Sequence, residues 1–429
     1  MREMKDSGIE WIGEIPKDWK IIKGKYVLEY LQKPVKDDDG VITCFRDGEV
    51  TLRSNRREDG FTLSDKEIGY QGIDVGDLVV HGMDGFAGAI GISDSRGKAS
   101  PVLNVFNSKY SKRYLMYYLR SMAFSNVFIA LASGIRVRSC DLSWNKLANL
   151  PYPTTSYEEQ TEIVRYIDSQ CSEIDATAED IQKEISLLED YKKSVITEAV
   201  TKGLNPDAEM KDSGIAWIGE IPKDWDLLKI GYVTKEISDI DHYMPSDSDD
   251  IDKVPYLMIG DLKENISQID FESCKYISKK VYRALSIKSK PEKENVIFAR
   301  YATIGTVCFV DSEKQLLVSY ACLTVKANEL IKGRFLFYYF KSNAFLEEVS
   351  QYVKSNTQGN IGKESLIRAK IVVPKLKEQT QIISYLDSKC SEIDSIIADK
   401  KRQLYILAEY KKSLIYEYVT GKKEVPINE

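Results

Sequence analysis

Residues 4–19 read MKDSGIEWIGEIPKDW, and residues 210–225 read MKDSGIAWIGEIPKDW. Fifteen of the sixteen positions are identical, and only Glu10 and Ala216 differ. Chance does not produce such a match, and an internal repeat sets the architecture of a chain before any local pattern does. The repeat predicts two copies of one structural plan.

A second repeat lies further along each copy. EEQTEIVRYIDSQCSEID at 158–175 matches KEQTQIISYLDSKCSEID at 377–394, and EDYKKSVI at 189–196 matches AEYKKSLI at 408–415. Both stretches lack Pro and Gly until Gly203 and Gly421, which are typical helix stops. Each copy therefore consists of a short motif, a variable segment and a long helix.

Apolar residues recur every seven positions in both predicted helices, as in a coiled-coil seam. The seam residues are Ile167, Ile174, Ile181, Leu188 and Val195 in the first helix and Leu386, Ile393, Leu407 and Leu414 in the second. If the helices pair along their length, the chain order makes them antiparallel, with one variable segment at each end and a pseudo-two-fold axis between the copies.

The variable segments contain short β-branched runs such as VVHG, AIGI, VIFA and TVCFV, which predict strands. YLMYYL at 114–119 and FLFYYF at 335–340 predict a helix in each segment. The fold class is therefore α+β: two α+β domains separated by long antiparallel coiled-coil helices. The predicted domains are 1–152 (motif and first variable domain), 153–203 (first helix), 204–372 (motif and second variable domain) and 373–429 (second helix and tail).

The composition of the chain argues against several classes of protein, including membrane-spanning, secreted and zinc-histidine proteins. The chain has 429 residues, 43% apolar and 29% charged, typical of a globular protein. It has no apolar run of transmembrane length, so no membrane partner is expected. The charged N-terminus is unlike a secretory signal, and the seven cysteines form no CxxC pair, which favours reduced thiols in the cytoplasm. Two histidines make a zinc-histidine site or a catalytic triad improbable.

Two lobes held apart by a stiff rod suit a linear polymer with repeating grooves, and double-stranded DNA is the natural candidate. The net charge of −6 opposes this, but residues 20–152 carry 19 Lys and Arg against 15 Asp and Glu. Residues 226–372 carry 21 against 20, and residues 153–203 carry 5 against 12. The acidic excess thus lies on the connector and the basic excess on the first lobe.

Loop residues suited to base or phosphate contacts are the candidate DNA-binding residues. They are Arg53, Arg56, Arg57, His81, Arg136 and Arg138 in the first lobe and Arg300, Tyr301, Asn356, Gln358, Asn360 and Lys363 in the second. For each of them, an ordinary solvated loop or polar turn is an equally good interpretation.

Sequence motifs of catalysis are missing. NPDA at 205–208 lacks the [DNS]PP[YF] pattern of amino-methyltransferases, and the glycines near Lys98 do not have P-loop spacing. PDAEMK at 206–211 resembles a nuclease motif but lies in the linker, and DSDDID at 247–252 lacks EF-hand spacing. No catalytic residue and no metal site is predicted.

Together, the repeated MKDSGIxWIGEIPKDW motif, the EEQTEIV helix opening and the EYKKSLI helix end resemble the specificity subunit of type I restriction-modification systems. The resemblance covers the whole chain in order. It implies that residues 20–152 and 226–372 are target-recognition domains, each reading one half of an asymmetric bipartite DNA site, and that the helices set the spacer.

The resemblance further implies a non-catalytic subunit with two methyltransferase subunits docked around the helices, and restriction (motor-nuclease) subunits as further partners. S-adenosylmethionine, Mg²⁺ and ATP are then expected on the partners, with no cofactor in this chain. A scaffold protein whose lobes bind other proteins remains the alternative. Steep salt dependence of DNA binding would favour the first interpretation.

Overall fold

The computed structural model describes residues 2–56, 67–131, 142–240, 242–301, 305–352 and 360–426. The chain divides into two compact units. Unit 1 comprises residues 1–182 and 402–429, and unit 2 comprises residues 183–401. Each unit contains one copy of the repeated motif, one variable segment and parts of both long helices.

The strands of unit 1 are short and mostly antiparallel. They are β1 (Met4–Asp6), β2 (Glu14–Pro16), β3 (Lys20–Lys23), β4 (Glu29–Leu31), β5 (Ile42–Cys44), β6 (Val50–Leu52), β7 (Gln71–Ile73), β8 (Leu78–His81), β9 (Ile90–Ile92), β10 (Gly97–Ala99), β11 (Leu103–Asn107) and β12 (Pro151–Thr154). The helices that begin here are α1 (Arg53–Arg56), α2 (Lys112–Phe124), α3 (Val127–Ala130), α4 (Trp144–Asn149) and the long α5 (Tyr157–Lys202).

Unit 2 repeats this plan. Its strands are β13 (Met210–Asp212), β14 (Glu220–Pro222), β15 (Asp226–Lys229), β16 (Thr234–Ser238), β17 (Val254–Leu257), β18 (Lys275–Ile277), β19 (Val296–Ala299), β20 (Val307–Phe309), β21 (Leu317–Val318), β22 (Cys322–Ala327) and β23 (Lys370–Val373). Its helices are α6 (Ile230–Val233), α7 (Lys279–Leu285), α8 (Gly333–Lys341), α9 (Asn343–Ser350), α10 (Lys363–Arg368) and the long α11 (Leu376–Val419).

A four-stranded sheet forms the centre of each lobe, with order β4-β11-β8-β9 in unit 1 and β16-β22-β19-β20 in unit 2. The matching order confirms that the variable segments share a fold. Side chains alternate across the pleat. In unit 1, Leu78 and Val80 join the core shared with α2, while Val79 joins a smaller core with Ile42 and Ile73. The sheet is thus covered on both faces, and the predicted strands and the two aromatic-rich helices are confirmed.

The long helices are continuous over 46 and 44 residues. In unit 1, Lys411 pairs with Asp175 at 2.6 Å, and the Tyr166 and Tyr418 ring centroids lie 4.7 Å apart. Because the residue numbers rise on α5 as they fall on α11, the segments are antiparallel, as predicted. In unit 2, Glu184 pairs with Lys400 at 2.5 Å and Lys192 pairs with Asp394 at 2.7 Å, so the segments are antiparallel there as well.

Burial along the predicted seam is uneven. Six seam residues are buried: Ile167, Ile174, Val195, Leu386, Ile393 and Leu414. Ile181, Leu188 and Leu407 are partly exposed. Each helix ends before a glycine with a left-handed φ, 78° at Gly203 and 71° at Gly421, a conformation that glycine adopts without steric cost. The predicted helix stops are confirmed.

The two tryptophans of each repeated motif differ in environment. Trp19 and Trp225 are fully buried, and their indole Nε1–H groups donate to Glu159 and Glu378 on the long helices. Trp217 is 39% exposed. The second tryptophan of each motif therefore fastens the motif to the helices of its own unit.

A repeated clamp also joins each lobe to a long helix. On α2, Arg113 and Tyr117 both donate to Asp168, at 2.6 and 2.5 Å. On α8, the Tyr338 hydroxyl donates to Asp387 at 2.6 Å, and Arg334 pairs with the same carboxylate at 2.8 Å. Residues four apart share a helix face, so one acidic residue can bind both side chains. The clamp fixes how α2 and α8, which pack on the central sheets, lie on the long-helix segment of their own unit.

Candidate nucleic-acid interface

The backbone at the end of β8 and the end of β19 has the same pairing. In unit 1, the Gly82 N–H donates to the Val102 carbonyl at 2.7 Å, and the Leu142 N–H donates to the Gly82 carbonyl at 2.8 Å. His81 therefore ends an inner strand of the sheet and opens directly into a turn.

In unit 2, the Arg300 N–H donates to the Ala321 carbonyl and the Ile361 N–H donates to the Arg300 carbonyl, both at 3.0 Å. By this pattern Arg300 is the counterpart of Gly82, and Ala299 is the counterpart of His81. Each lobe thus carries a candidate DNA-binding residue at the corresponding strand end of its own four-stranded sheet.

Unit 1 has a groove of about 610 Å³ at this edge. It brings together three predicted residues, Arg53, Arg56 and His81, and it also contains Arg46 and Asp84. The groove forms because the β5–β6 hairpin and α1 stand beside the end of β8. A groove with several cationic side chains suits a phosphate or the acceptor edge of a base.

The arginines of this groove are held by acidic neighbours. Arg56 pairs with Asp47 and Glu49, both at 2.7 Å, and its guanidinium lies 4.1 Å from the Phe45 ring centroid. The hydrogen bond with Asp47 raises the pKa of Arg56. Asp47 and Glu49 orient the Arg56 side chain. When a phosphate binds Arg56, it must replace one of these carboxylates or share the guanidinium with them.

Two further cations extend the groove. Arg46 pairs with Asp84 at 2.9 Å, and the Arg53 Nε donates to the Thr43 hydroxyl at 3.0 Å. Arg46 is absent from the sequence prediction, although the FRDGE turn that contains it was a usable signal.

His81 is the partly buried group of the groove. Its Nδ1 accepts the backbone N–H of Met83 at 3.2 Å and of Asp84 at 2.9 Å. Burial lowers the pKa of His81, while Asp84 opposes this effect and Arg46 adds to it. The imidazole is therefore neutral near pH 7.

The corresponding site of unit 2 is more enclosed. Arg300 pairs with Asp239 at 2.6 Å, its side chain is only 15% exposed, and its guanidinium lies 5.2 Å from the Tyr301 ring centroid. Its buried Nε has no hydrogen-bond partner among the described residues. Tyr301 pairs with Asn360 in an isolated antiparallel bridge. Arg300, Tyr301 and Asn360 are thus brought together, whereas exposed Lys363 begins α10.

Several predicted residues lie outside the described part of the chain: Arg57, Arg136, Arg138, Asn356 and Gln358. The sequence prediction also missed Asp239 and Tyr320. Tyr320 packs edge-on against Tyr301 and lies 3.9 Å from His242, ring centroid to ring centroid. Neither of the two missed residues has a motif around it, because each is defined by a contact distant in sequence.

The described cysteines are buried, and burial raises their thiol pKa values, to about 12 for Cys308 and Cys322. Within the described ranges, no group of three His, Cys, Asp or Glu residues could hold a metal ion. No helix in the described part of the chain is long and apolar enough to cross a membrane.

Comparison with known proteins shows which kind of protein the chain resembles. A family model for the type I restriction modification DNA specificity domain matches residues 222–404. The chain is 25% identical over 436 residues to a putative type I restriction enzyme MjaX specificity subunit of Methanocaldococcus jannaschii, with 96% of each chain covered.

The type I restriction enzyme MjaVIII specificity subunit of the same organism is 27% identical over 285 residues, covering 65% of this chain and 63% of that one. A solved structure described as the basis of complex assembly and conformational transition of the type I R-M system has a TM-score of 0.67. It is 14% identical and covers 95% of this chain and 99% of that one, which shows a shared fold. The chain is thus similar to specificity subunits of type I restriction-modification systems, and residues 222–404 match the DNA specificity domain of such systems.

Proposed function

We propose that this DNA-recognition subunit reads an asymmetric bipartite site, with residues 20–152 reading one half and residues 226–372 the other. The observation that carries the proposal is the repeated sheet edge, where one backbone pattern presents His81 in unit 1 and Arg300 in unit 2. A shared scaffold that presents different side chains at adjacent positions of the same strand end suits two readers of different sequence.

The long helices set the number of base pairs between the half-sites. Each is continuous, and at 1.5 Å per residue a helix of this length extends over about 65–70 Å. Equal seven-residue deletions from both helices preserve the heptad register, so they are the appropriate perturbation. The mapped site of the deletion variant should have a changed spacer and unchanged half-sites. An unchanged spacer would refute this role of the helices.

Methyltransferase subunits dock on the long helices in this proposal. Leu187 and Tyr191 on α5 are 69% and 51% exposed, and Ile406 and Tyr410, at the matching repeat positions on α11, are 53% and 50% exposed. Large apolar side chains exposed at the same positions of both repeats are expected where two copies of one partner bind. Two methyltransferase subunits per chain follow from the duplication.

Catalysis belongs to the partners in this proposal. S-adenosylmethionine is bound by the methyltransferase subunits, and Mg²⁺ and ATP by the restriction subunits. The purified chain, incubated with DNA and either S-adenosylmethionine or Mg²⁺, should leave the DNA unchanged, and the complex with methyltransferase should methylate it. Reaction by the chain alone would refute this division of roles.

DNA binding itself has a separate test against the scaffold alternative. Phosphate contacts release counterions, so the affinity of the methyltransferase complex for its mapped site should fall steeply between 50 and 200 mM salt, by about 10³-fold for six contacts. A scaffold whose lobes bind only proteins would show no such dependence and no preferred DNA sequence.

A further inference from the structure

We propose that His81 is a specificity-determining residue of the first lobe. Its Nε2–H donates a hydrogen bond to an acceptor on a base edge of that lobe's half-site: a purine N7, a guanine O6 or a thymine O4. The proposal rests on the proposed function, since it requires that residues 20–152 read DNA. Beyond that function, it names the His81 atom that contacts the DNA and the kind of base atom that this atom contacts.

The tautomer of His81 follows from its hydrogen bonds. A neutral imidazole has one N–H donor and one acceptor nitrogen. Nδ1 accepts two backbone N–H groups, from Met83 and Asp84, so it cannot carry the proton. The proton is therefore on Nε2, and the ring presents only a donor to its surroundings.

The orientation of the ring is also fixed. His81 ends a strand that is paired on both sides, and the turn after it is bound to Nδ1. The Gly82 carbonyl in turn accepts the Leu142 N–H at 2.8 Å. A reading group held by a rigid element loses little conformational entropy on binding, which favours discrimination between bases.

Nε2 is free to bind a ligand. It has no hydrogen-bond partner among the described residues, and His81 lies on the wall of the groove of about 610 Å³. The charged groups that face the ring are Asp84 and Arg46, which pair with each other at 2.9 Å. The Asp84 carboxylate is thus already bound by an arginine.

A group that only donates can discriminate in the major groove. Purine N7, guanine O6 and thymine O4 are acceptors there, while the amino groups of adenine and cytosine are donors. Arg300, one step further along the equivalent strand end of unit 2, also carries donors and no acceptor. At this strand end, His81 of unit 1 and Arg300 of unit 2 therefore each offer a ligand hydrogen-bond donors and no acceptor.

Two substitutions separate reading from a structural role. In H81N, the amide oxygen can occupy the place of Nδ1 and still accept from Met83 and Asp84, but no donor remains at Nε2. In H81Q, the longer side chain can place an N–H donor near Nε2 and leaves those two backbone groups uncapped. If His81 only stabilises the turn, H81N is the milder change. If it reads a base, H81Q is the milder change.

The experiment measures methylation rates of the whole specificity–methyltransferase complex on DNA libraries in which the mapped half-site of the first lobe is randomised. A base contact is worth about 5-fold to 150-fold in discrimination. H81N should lose discrimination in that range at one base pair of this half-site, H81Q should lose less, and the other half-site should be unchanged. Discrimination by H81N equal to wild type, or a uniform loss at all base pairs, would overturn the proposal.

If H81N and H81Q are equally impaired, DNA substrates with modified bases show whether His81 contacts a base. Substrates that lack one acceptor at a time, such as 7-deazapurines, should slow the wild-type complex at one position and have no further effect on the H81N complex. Additive effects at every position would overturn the proposal. Failure of the proposed function is distinguishable, because then exchange of residues 20–152 would change no half-site.

Discussion

The clamp between α8 and α11 gives a quantitative prediction for Y338F. The Tyr338 ring is 2% exposed, and its hydroxyl donates to Asp387 at 2.6 Å. Phenylalanine keeps the ring packing and opens no cavity, so the substitution removes one hydrogen bond to a charged group. Such a bond contributes about 1.5–3 kcal/mol to stability when it is buried.

The expected loss lies just below that range. The Asp387 side chain is 45% exposed and remains paired with Arg334 at 2.8 Å, so water and the guanidinium partly replace the lost donor. We expect unit 2 to lose about 1–1.5 kcal/mol. The equivalent Y117F should cost unit 1 a similar amount, because Tyr117 binds Asp168, which is 34% exposed, in the same way.

Urea unfolding followed at Trp225, by ¹⁹F NMR of fluorotryptophan-labelled protein, reports on unit 2. The control is Y232F, since Tyr232 is 68% exposed and its loss should cost less than about 0.5 kcal/mol. In a D387N background, Y338F should lose most of its effect. A change below about 0.3 kcal/mol in the wild-type background, or an equal loss with and without D387N, would refute the clamp.

Four further outcomes are expected. W225A should destabilise unit 2 by about 3–5 kcal/mol in urea unfolding, because the side chain is fully buried and bonded to a long helix; a loss near zero would contradict this packing. R300A should relax recognition by about 1–3 kcal/mol at one base pair of the second half-site, measured by methylation of variant sites; a uniform loss would indicate a phosphate contact. Y191A combined with Y410A should weaken methyltransferase binding by at least about 2 kcal/mol in calorimetry without altering urea stability, because both side chains are half exposed; unchanged affinity would refute this docking surface. The folded structure lowers the pKa of His81 below its ordinary 6.5, so His81 binds a proton more readily in the unfolded chain than in the folded one. The contribution of His81 to the free energy of unfolding of unit 1 should therefore decrease as the pH drops below about 6.5 and stay level above it. H81N should remove that component of the pH dependence in urea unfolding, and an identical pH profile would contradict the lowered pKa.

Sequence patterns predicted much of this fold because helices and strands bury side chains at regular spacings along the chain. β-Branched runs gave the central strands, and seven-residue spacing gave α5 and α11. Connectivity then required antiparallel segments, as the pair between Lys411 and Asp175 shows. The repeated motif packs in the same way in both copies, since Trp19 and Trp225 are buried against the long helices.

These sequence patterns could not predict contacts between residues that are distant in the chain. The ion pair between Arg300 and Asp239 depends on strands that meet only in the folded lobe. The two repeats also differ in places that periodicity does not reveal. Tyr418 packs against Tyr166 in unit 1, with the two rings tilted by 43°. The matching position in unit 2 is Ala199, so Tyr385 there borders an open groove.

Independent reading by the two lobes is tested most directly by exchange of one variable segment. Residues 20–152 are replaced by the corresponding segment of another specificity subunit with a known site, and methylated adenines are mapped in DNA modified by the resulting complex. We expect one half-site to change to that of the donor, with the other half-site and the spacer retained. A change in both halves, or in neither, would contradict the account.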